Sequence, residues 1–243
     1  MTNIRRRDLL LGTALALAGE RLAQAEVIAG RLPWHPDAGS PPEPVLPQGW
    51  KFFTAAEAAA VEAAVDRIVP PDPHTPGGKD AGCAVFIDRQ LAGDYGRSQG
   101  LYNQPPFRKG TKNQGPQSDK PPADQYRTAL AALDRYCLAT AEYGKSFAEL
   151  SVERQDALLR GLEGGAIQLE GTDGQTFFEL LLKDTQQGFF ADPIYGGNRN
   201  MCAWKMIGFP GARYDYRDWV GRHNEHYPRP PVSIAGRPDW TPT

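Results

Sequence analysis

The chain has 243 residues, 40% of them hydrophobic, with 26 Gly and 22 Pro. That length supports one domain with a substantial core. A formal charge of −2 gives no sign of a nucleic-acid partner, and the clustering of Pro and Gly divides the chain into a compact part and extended arms.

Residues 1–25 read as a twin-arginine export signal. Arg5-Arg6-Arg7-Asp8-Leu9-Leu10 opens it, and Arg6 and Arg7 carry the signal. The weakly apolar stretch 9–18 follows, and Ala23-Gln24-Ala25 offers a small-x-small cleavage site before Glu26. The apolar run is far shorter than the ~20 residues needed to span a bilayer. Glu20 and Arg21 close it with charge. This segment holds four Arg against Asp8 and Glu20, so without it the formal charge becomes about −4. The expected location is the periplasm, which is oxidising. Three cysteines would remain there, Cys83, Cys137 and Cys202. The count is odd, and the spacing excludes zinc ribbons, C-x-x-C redox pairs and C-x-x-C-H haem attachment.

Residues 26–50 form a Pro-rich extended leader, with Trp34 and Trp50 suited to a surface. The domain proper is expected over 51–212. Thr54-x-x-Glu57 is a capping box, and Val61, Ala64, Val65 and Ile68 follow at helical spacing until Pro70-Pro71. A short helix is expected over 84–91, burying Phe86, Ile87 and Leu91. Residues 94–122 are polar, rich in Pro and Gly, and without periodicity. A strong helix starts at Pro122 or Asp124 and runs to about Tyr143, with Tyr126, Leu130, Leu133, Cys137 and Ala141 on its apolar side. Ser151 caps the next helix, which carries Leu158, Leu159 and Leu162 and ends at Gly164-Gly165. Thr172-x-x-Gln175 is read as a second capping box, for a helix bearing Phe177, Phe178, Leu181 and Leu182 and ending near Gly188. No segment alternates like a strand. The fold class is therefore all-α: about five helices with long irregular connections and an extended C-terminal arm.

The chemistry-bearing patterns are sparse. There is no G-x-G-x-x-G, and Gly77-Gly78-Lys79 lacks the rest of a phosphate loop. His223-Asn-Glu-His226 has a metal-like spacing, but Pro228, Pro230 and Pro231 oppose a helix there and no third ligand is indicated. Tyr195 and Lys205 have no acid–base partner visible in sequence. No catalytic, cofactor-binding or metal-binding residue is expected.

From Gln187 to Ala212, turn formers alternate with Phe189, Phe190, Tyr195, Trp204 and Phe209. Such a loop must be held by its own aromatics or by another surface. The arm, 213–243, carries Tyr214, Tyr216, Trp219, Tyr227 and Trp240 among Pro and Arg. It either lies along a partner or folds back on this chain.

At this loop the sequence resembles subunit 3, the small subunit, of membrane-associated gluconate 2-dehydrogenase and its sugar-oxidising relatives. The matching residues are D-P-I-Y-G-G-N-R-N-M over 192–201 and W-K-M-I-G-F-P-G over 204–211. Phe53-Thr54-x-x-Glu57, the run 66–72 and the run 86–91 also match. The resemblance implies a complex of three parts. An FAD-binding large subunit of the glucose-methanol-choline type would oxidise a sugar or sugar acid. A multi-haem cytochrome c would pass electrons to the membrane. The small subunit would help the large one fold and carry it out through its own signal, with membrane association through the complex only. The other reading is an independent periplasmic enzyme or ligand-binding protein with a pocket formed by the 187–212 loop. Within a complex, the expected interface comprises Phe189, Tyr195, Cys202, Trp204, Phe209, Tyr214, Tyr216 and Trp219. Cys137 and Cys83 are expected to be buried. Cys202 is the candidate for a disulfide to the large subunit, against a free thiol or an internal bridge to Cys83.

Overall fold

The computed structural model describes residues 45–46, 49–100, 105–107, 111, 119–213 and 215–235. The export signal with Arg6, Arg7, Ala23 and Ala25, most of the Pro-rich leader, Tyr214 and Trp240 lie outside the described residues. Among the described residues there are six α-helices: α1 (Ala55–Ile68), α2 (Cys83–Ala92), α3 (Pro122–Ala139), α4 (Val152–Glu163), α5 (Gly174–Phe190) and α6 (Cys202–Ile207). Short 3-10 turns join them, and the only β pairing among the described residues is a pair of isolated bridges. The all-α expectation holds.

The capping box of α1 is present. The Thr54 side chain accepts from the Glu57 N–H, and the Glu57 carboxylate accepts from the Thr54 N–H at 2.8 Å. Arg127 of α3 reinforces this start. Its guanidinium pairs with Glu57, donates to the Phe52 carbonyl, and lies 4.1 Å from the Phe52 ring centre.

Helix α2 is the central element. Cys83, Ala84, Val85, Phe86, Ile87, Asp88 and Leu91 are all buried, so the helix is enclosed on most sides. Its most extensive partner is α5, which buries Phe177, Phe178, Leu181 and Phe189. Helices α1 and α4 add Val61, Val65, Leu158 and Leu162 to the same core.

The buried Asp88 joins the entering chain to this core. Its carboxylate accepts N–H bonds from Lys51, Phe52 and Phe53, each at 2.9 Å, and pairs with Arg89. Arg89 in turn donates to the carbonyls of Leu46 and Gly49. The end of the Pro-rich leader is thereby pinned to α2.

Two boundaries and one cap differ from the sequence expectations. Helix α3 stops at Ala139, where the Thr140 hydroxyl bonds back to the Tyr136 carbonyl and Gly144 turns with φ +59°. Ala141 is therefore outside the helix and exposed. The N-cap of α5 is Asp173, not Thr172: its carboxylate accepts from the N–H groups of Gln175 and Thr176. Ser151 occupies the N-cap position of α4 but makes no capping bond, whereas Ser146 and Glu149 form an unforeseen capping box on the turn Phe147–Glu149. The segment after α2 also begins firmly. Tyr95 donates to Asp184 of α5 at 2.8 Å, and Tyr126 donates to the other oxygen at 3.0 Å.

Burial raises the Asp184 carboxyl above its ordinary 3.8, and the two tyrosine hydroxyls and Lys183 only partly offset this. A raised acid favours the fold while it is protonated. That contribution is lost as pH climbs from 3.8 through the raised value. Asp184→Asn removes the titration. The stability gap between wild type and Asp184→Asn should therefore narrow as pH rises above 3.8, as measured by urea unfolding across a pH series.

Candidate functional site

The 187–212 segment is more regular than its composition suggests. Phe189 and Phe190 sit on the last turn of α5, and Trp204 lies on α6. Between those helices the backbone is strained. Asn198, Asn200 and Met201 have φ of +45°, +56° and +55°. Asparagine tolerates this conformation; methionine does so only when its surroundings compel it.

Close packing of backbone on backbone provides that compulsion. A Cβ at Gly197 would lie 2.1 Å from the Gly188 carbonyl oxygen of α5. A Cβ at Gly82, at the start of α2, would lie 2.4 Å from the Gly196 carbonyl oxygen. The loop thus rests directly on the two central helices. Asn198 is fully buried and closes the turn. Its amide donates to the Ala191 carbonyl, and its oxygen accepts from the Ala203 N–H, both at 2.9 Å. The Arg199 N–H donates to the Ala81 carbonyl, and the Trp204 indole N–H to the Phe190 carbonyl.

Asp192 ties the loop to the C-terminal arm. One oxygen accepts from the Ile194 N–H and the Ser233 hydroxyl, and the other from the Ile234 N–H. The arm therefore turns back on this chain between 213 and 232. Val232 is buried and bridges to Gly211, whose φ of +76° and close approach to the Val232 carbonyl both require glycine. The Tyr227 ring meets Tyr216 at a tilt and Trp219 edge-on, with Arg213 and Arg222 over the rings of Tyr227 and Trp219.

The expected interface residues separate into two groups. Phe189 and Trp204 are buried within this chain and hold the loop; Trp204 is only 6% exposed. Tyr195 and Phe209 are exposed, at 39% and 43%. Met206 and Ile207, not foreseen, are more exposed still at 51% and 56%. Tyr216 and Trp219 are half-buried in the arm's own cluster. Cys83 and Cys137 are fully buried and Cys202 is half-buried, all as free thiols. Burial pushes the Cys83 thiol up to about 12 and Cys137 up to about 11, and it raises Cys202 as well. The first two are poor nucleophiles and packing groups. The Cys202 thiol is 3.7 Å from the Asn198 side-chain oxygen.

A cleft of about 480 Å³ opens between the 74–76 turn and the side chains of Arg199, Asn200, Cys202, Lys205 and Met206. A smaller one of about 260 Å³ separates Trp204, Lys205 and Phe209 from His226, Tyr227 and Arg229 of the arm. Among the described residues, no three His, Cys, Asp or Glu side chains gather as metal ligands, and no helix is long and apolar enough to cross a membrane.

Fold and loop together define a small all-α domain built around one tightly packed, surface-forming segment. The sequence model of a family described as Gluconate 2-dehydrogenase subunit 3 matches residues 55–211. That is more than half of the chain, and the chain belongs to this family. Membership implies a multi-subunit dehydrogenase complex. No curated protein and no solved structure gave a match.

The glycine contacts predict an asymmetry between two substitutions. Gly197→Ala drives a methyl into the backbone of α5 and should cost about 3 kcal/mol or more. Gly208→Ala meets only open space at φ +70° and should cost about 1 kcal/mol, the left-handed penalty alone. Thermal unfolding of the two variants measures the difference.

Proposed function

We propose that this chain is the non-catalytic small subunit of a periplasmic, FAD-dependent dehydrogenase complex that oxidises a sugar or sugar acid. The single observation that carries the reading is the family match over 55–211, which takes in the 192–211 loop. In this reading FAD resides on a large subunit of the glucose-methanol-choline type, and c-type haem on a cytochrome subunit. The small subunit assists folding of the large one, and its twin-arginine signal takes both across the membrane. The complex, not this chain, makes the membrane contact. Tyr195, Met206, Ile207 and Phe209 form the apolar part of the contact with the large subunit, because they are exposed beside buried residues that hold the loop rigid.

Replacing Arg6 and Arg7 by Lys should retain this chain in the cytoplasm and retain the flavoprotein with it. Fractionation followed by flavin fluorescence and dehydrogenase assay reads the outcome. Full flavoprotein activity in the periplasm would rule out the carrier role.

Cys202 is the thiol of this subunit proposed to bond the large subunit. It is half-buried on the loop, while Cys83 and Cys137 are enclosed. A non-reducing gel of the purified complex should give a band at the summed mass. That band should vanish in Cys202→Ser and persist in Cys83→Ser and Cys137→Ser. Free migration of the wild-type subunit without reductant would sink the intersubunit bond.

A further inference from the structure

The cleft beside Cys202 is cationic without compensation. Arg199 is half-buried and Lys205 is exposed, and both line it. Among the described residues neither makes an ion pair. No carboxylate lines the cleft. Three carboxylates near its His74 rim in sequence are committed elsewhere, and Asp80, nearer than two of them, is exposed and does not line the cleft. Asp72 accepts the N–H groups of His74 and Thr75, Glu62 pairs with Lys79, and Asp66 accepts the Lys79 N–H. A partly desolvated guanidinium without an anion is costly, and the cost is recovered only when an anion arrives. The planar fork of Arg suits a carboxylate, which it binds through two parallel bonds.

The surroundings favour a carboxylate carried on a polypeptide over a free anion. Met206 lines the cleft, Ile207 follows it in sequence, and Phe209 lines the smaller cleft that shares Lys205, each more than two-fifths exposed. A small anion would leave them in water, whereas a chain with an acidic residue flanked by apolar ones would cover them. The strained backbone at Asn200 and Met201, held by Asn198 and by the glycine contacts, fixes the position of Arg199 before any partner binds. Preorganisation of this kind lowers the entropy cost of association.

We infer that this cleft receives an acidic side chain, Asp or Glu, from an apolar segment of the flavoprotein subunit, with Arg199 and Lys205 binding its carboxylate. The inference rests on the subunit role proposed above. It adds the chemistry of the docking segment and assigns Arg199 as a recognition residue.

The test uses a tag on the full-length chain, expressed with its partners in the Cys202→Ser background, so that no disulfide holds the pair together. Recovery of flavoprotein is measured by flavin fluorescence, and thermal melting of each variant checks the fold. Lys205→Glu, at an exposed position, should lower recovery several-fold. Arg199→Glu combined with Lys205→Glu should lower it about tenfold or more, and the loss in wild type should grow with added salt. Arg199→Lys should retain more partner than Arg199→Glu. Unchanged recovery with both charges reversed would overturn the inference and leave the subunit role standing. Tight binding of acetate to the isolated chain, with recovery insensitive to either reversal, would assign the cleft to a small anion and also overturn it. Absence of flavoprotein from every preparation, wild type included, would overturn the subunit role and the inference together.

Discussion

The structure depends on how closely one loop can approach two helices. Gly197 lies against the backbone of α5 at Gly188, and Gly196 lies against the start of α2 at Gly82. At Gly82 the Arg199 side chain packs alongside the contact. This proximity lets the Arg199 N–H reach the Ala81 carbonyl, which carries the loop past α2 towards α6. It also leaves Asn198 inside, where one amide spans Ala191 and Ala203 and replaces a whole turn of backbone bonds. Move the loop outward by one methyl group and Asn198, Asp192 and the returning arm lose their partners together.

Buried polar side chains do the rest of the tethering, each accepting from two or more donors. Asp88 receives three backbone N–H groups and an arginine; Asp184 receives two tyrosine hydroxyls; Asp192 receives Ile194, Ser233 and Ile234. Each joins a long connection to a helix of the core or to the motif loop. Each donor returns part of what a buried carboxylate loses to desolvation. The arrangement favours one placement of each connection over its many alternatives. That matters in a chain whose helices are joined by segments rich in Pro and Gly, which local propensity leaves open.

The helices were legible because their signals are local. Thr54-x-x-Glu57, the apolar spacing of 61–68, Pro122 at the first turn of α3 and Gly164-Gly165 after α4 all act within a few residues of themselves. Thr172 and Asp173 are both good caps, and which of them serves depends on the approach of the preceding chain. The loop was legible as a loop, but its interior was not. Nothing in the sequence distinguishes Trp204, which faces inward, from Phe209, which stays out, although their rings touch at 5.2 Å between centres. The polar anchors were missed for a related reason. Asp88 and Asp184 sit among apolar residues at helical spacing, a hint of burial, but the backbone N–H donors of the first and the tyrosine donors of the second lie 35 or more residues away. The turning back of the arm rests on the same kind of long-range bond, from Ser233 and Ile234 to Asp192.

Strain and exposure converge on the same short stretch. Three consecutive features occur within 198–209: left-handed backbone at non-glycine residues, a half-buried arginine without an ion pair among the described residues, and apolar side chains left in solvent. Each is unfavourable for the chain alone. Left-handed backbone costs about 1–2 kcal/mol per residue outside glycine, less for asparagine, and exposed apolar surface forgoes about 25 cal/mol per Å². A loop selected only to close the fold has no reason to combine them, since Gly at 200 and 201 would relieve the first and polar residues at 206, 207 and 209 the last. Their combination is accounted for if the stretch is shaped to meet a second surface, on which the arginine gains a carboxylate and the apolar groups are covered. The rigid seat made by Gly82, Gly188, Gly196 and Gly197 then serves recognition as well as folding, because it presents those groups in one geometry before the partner arrives.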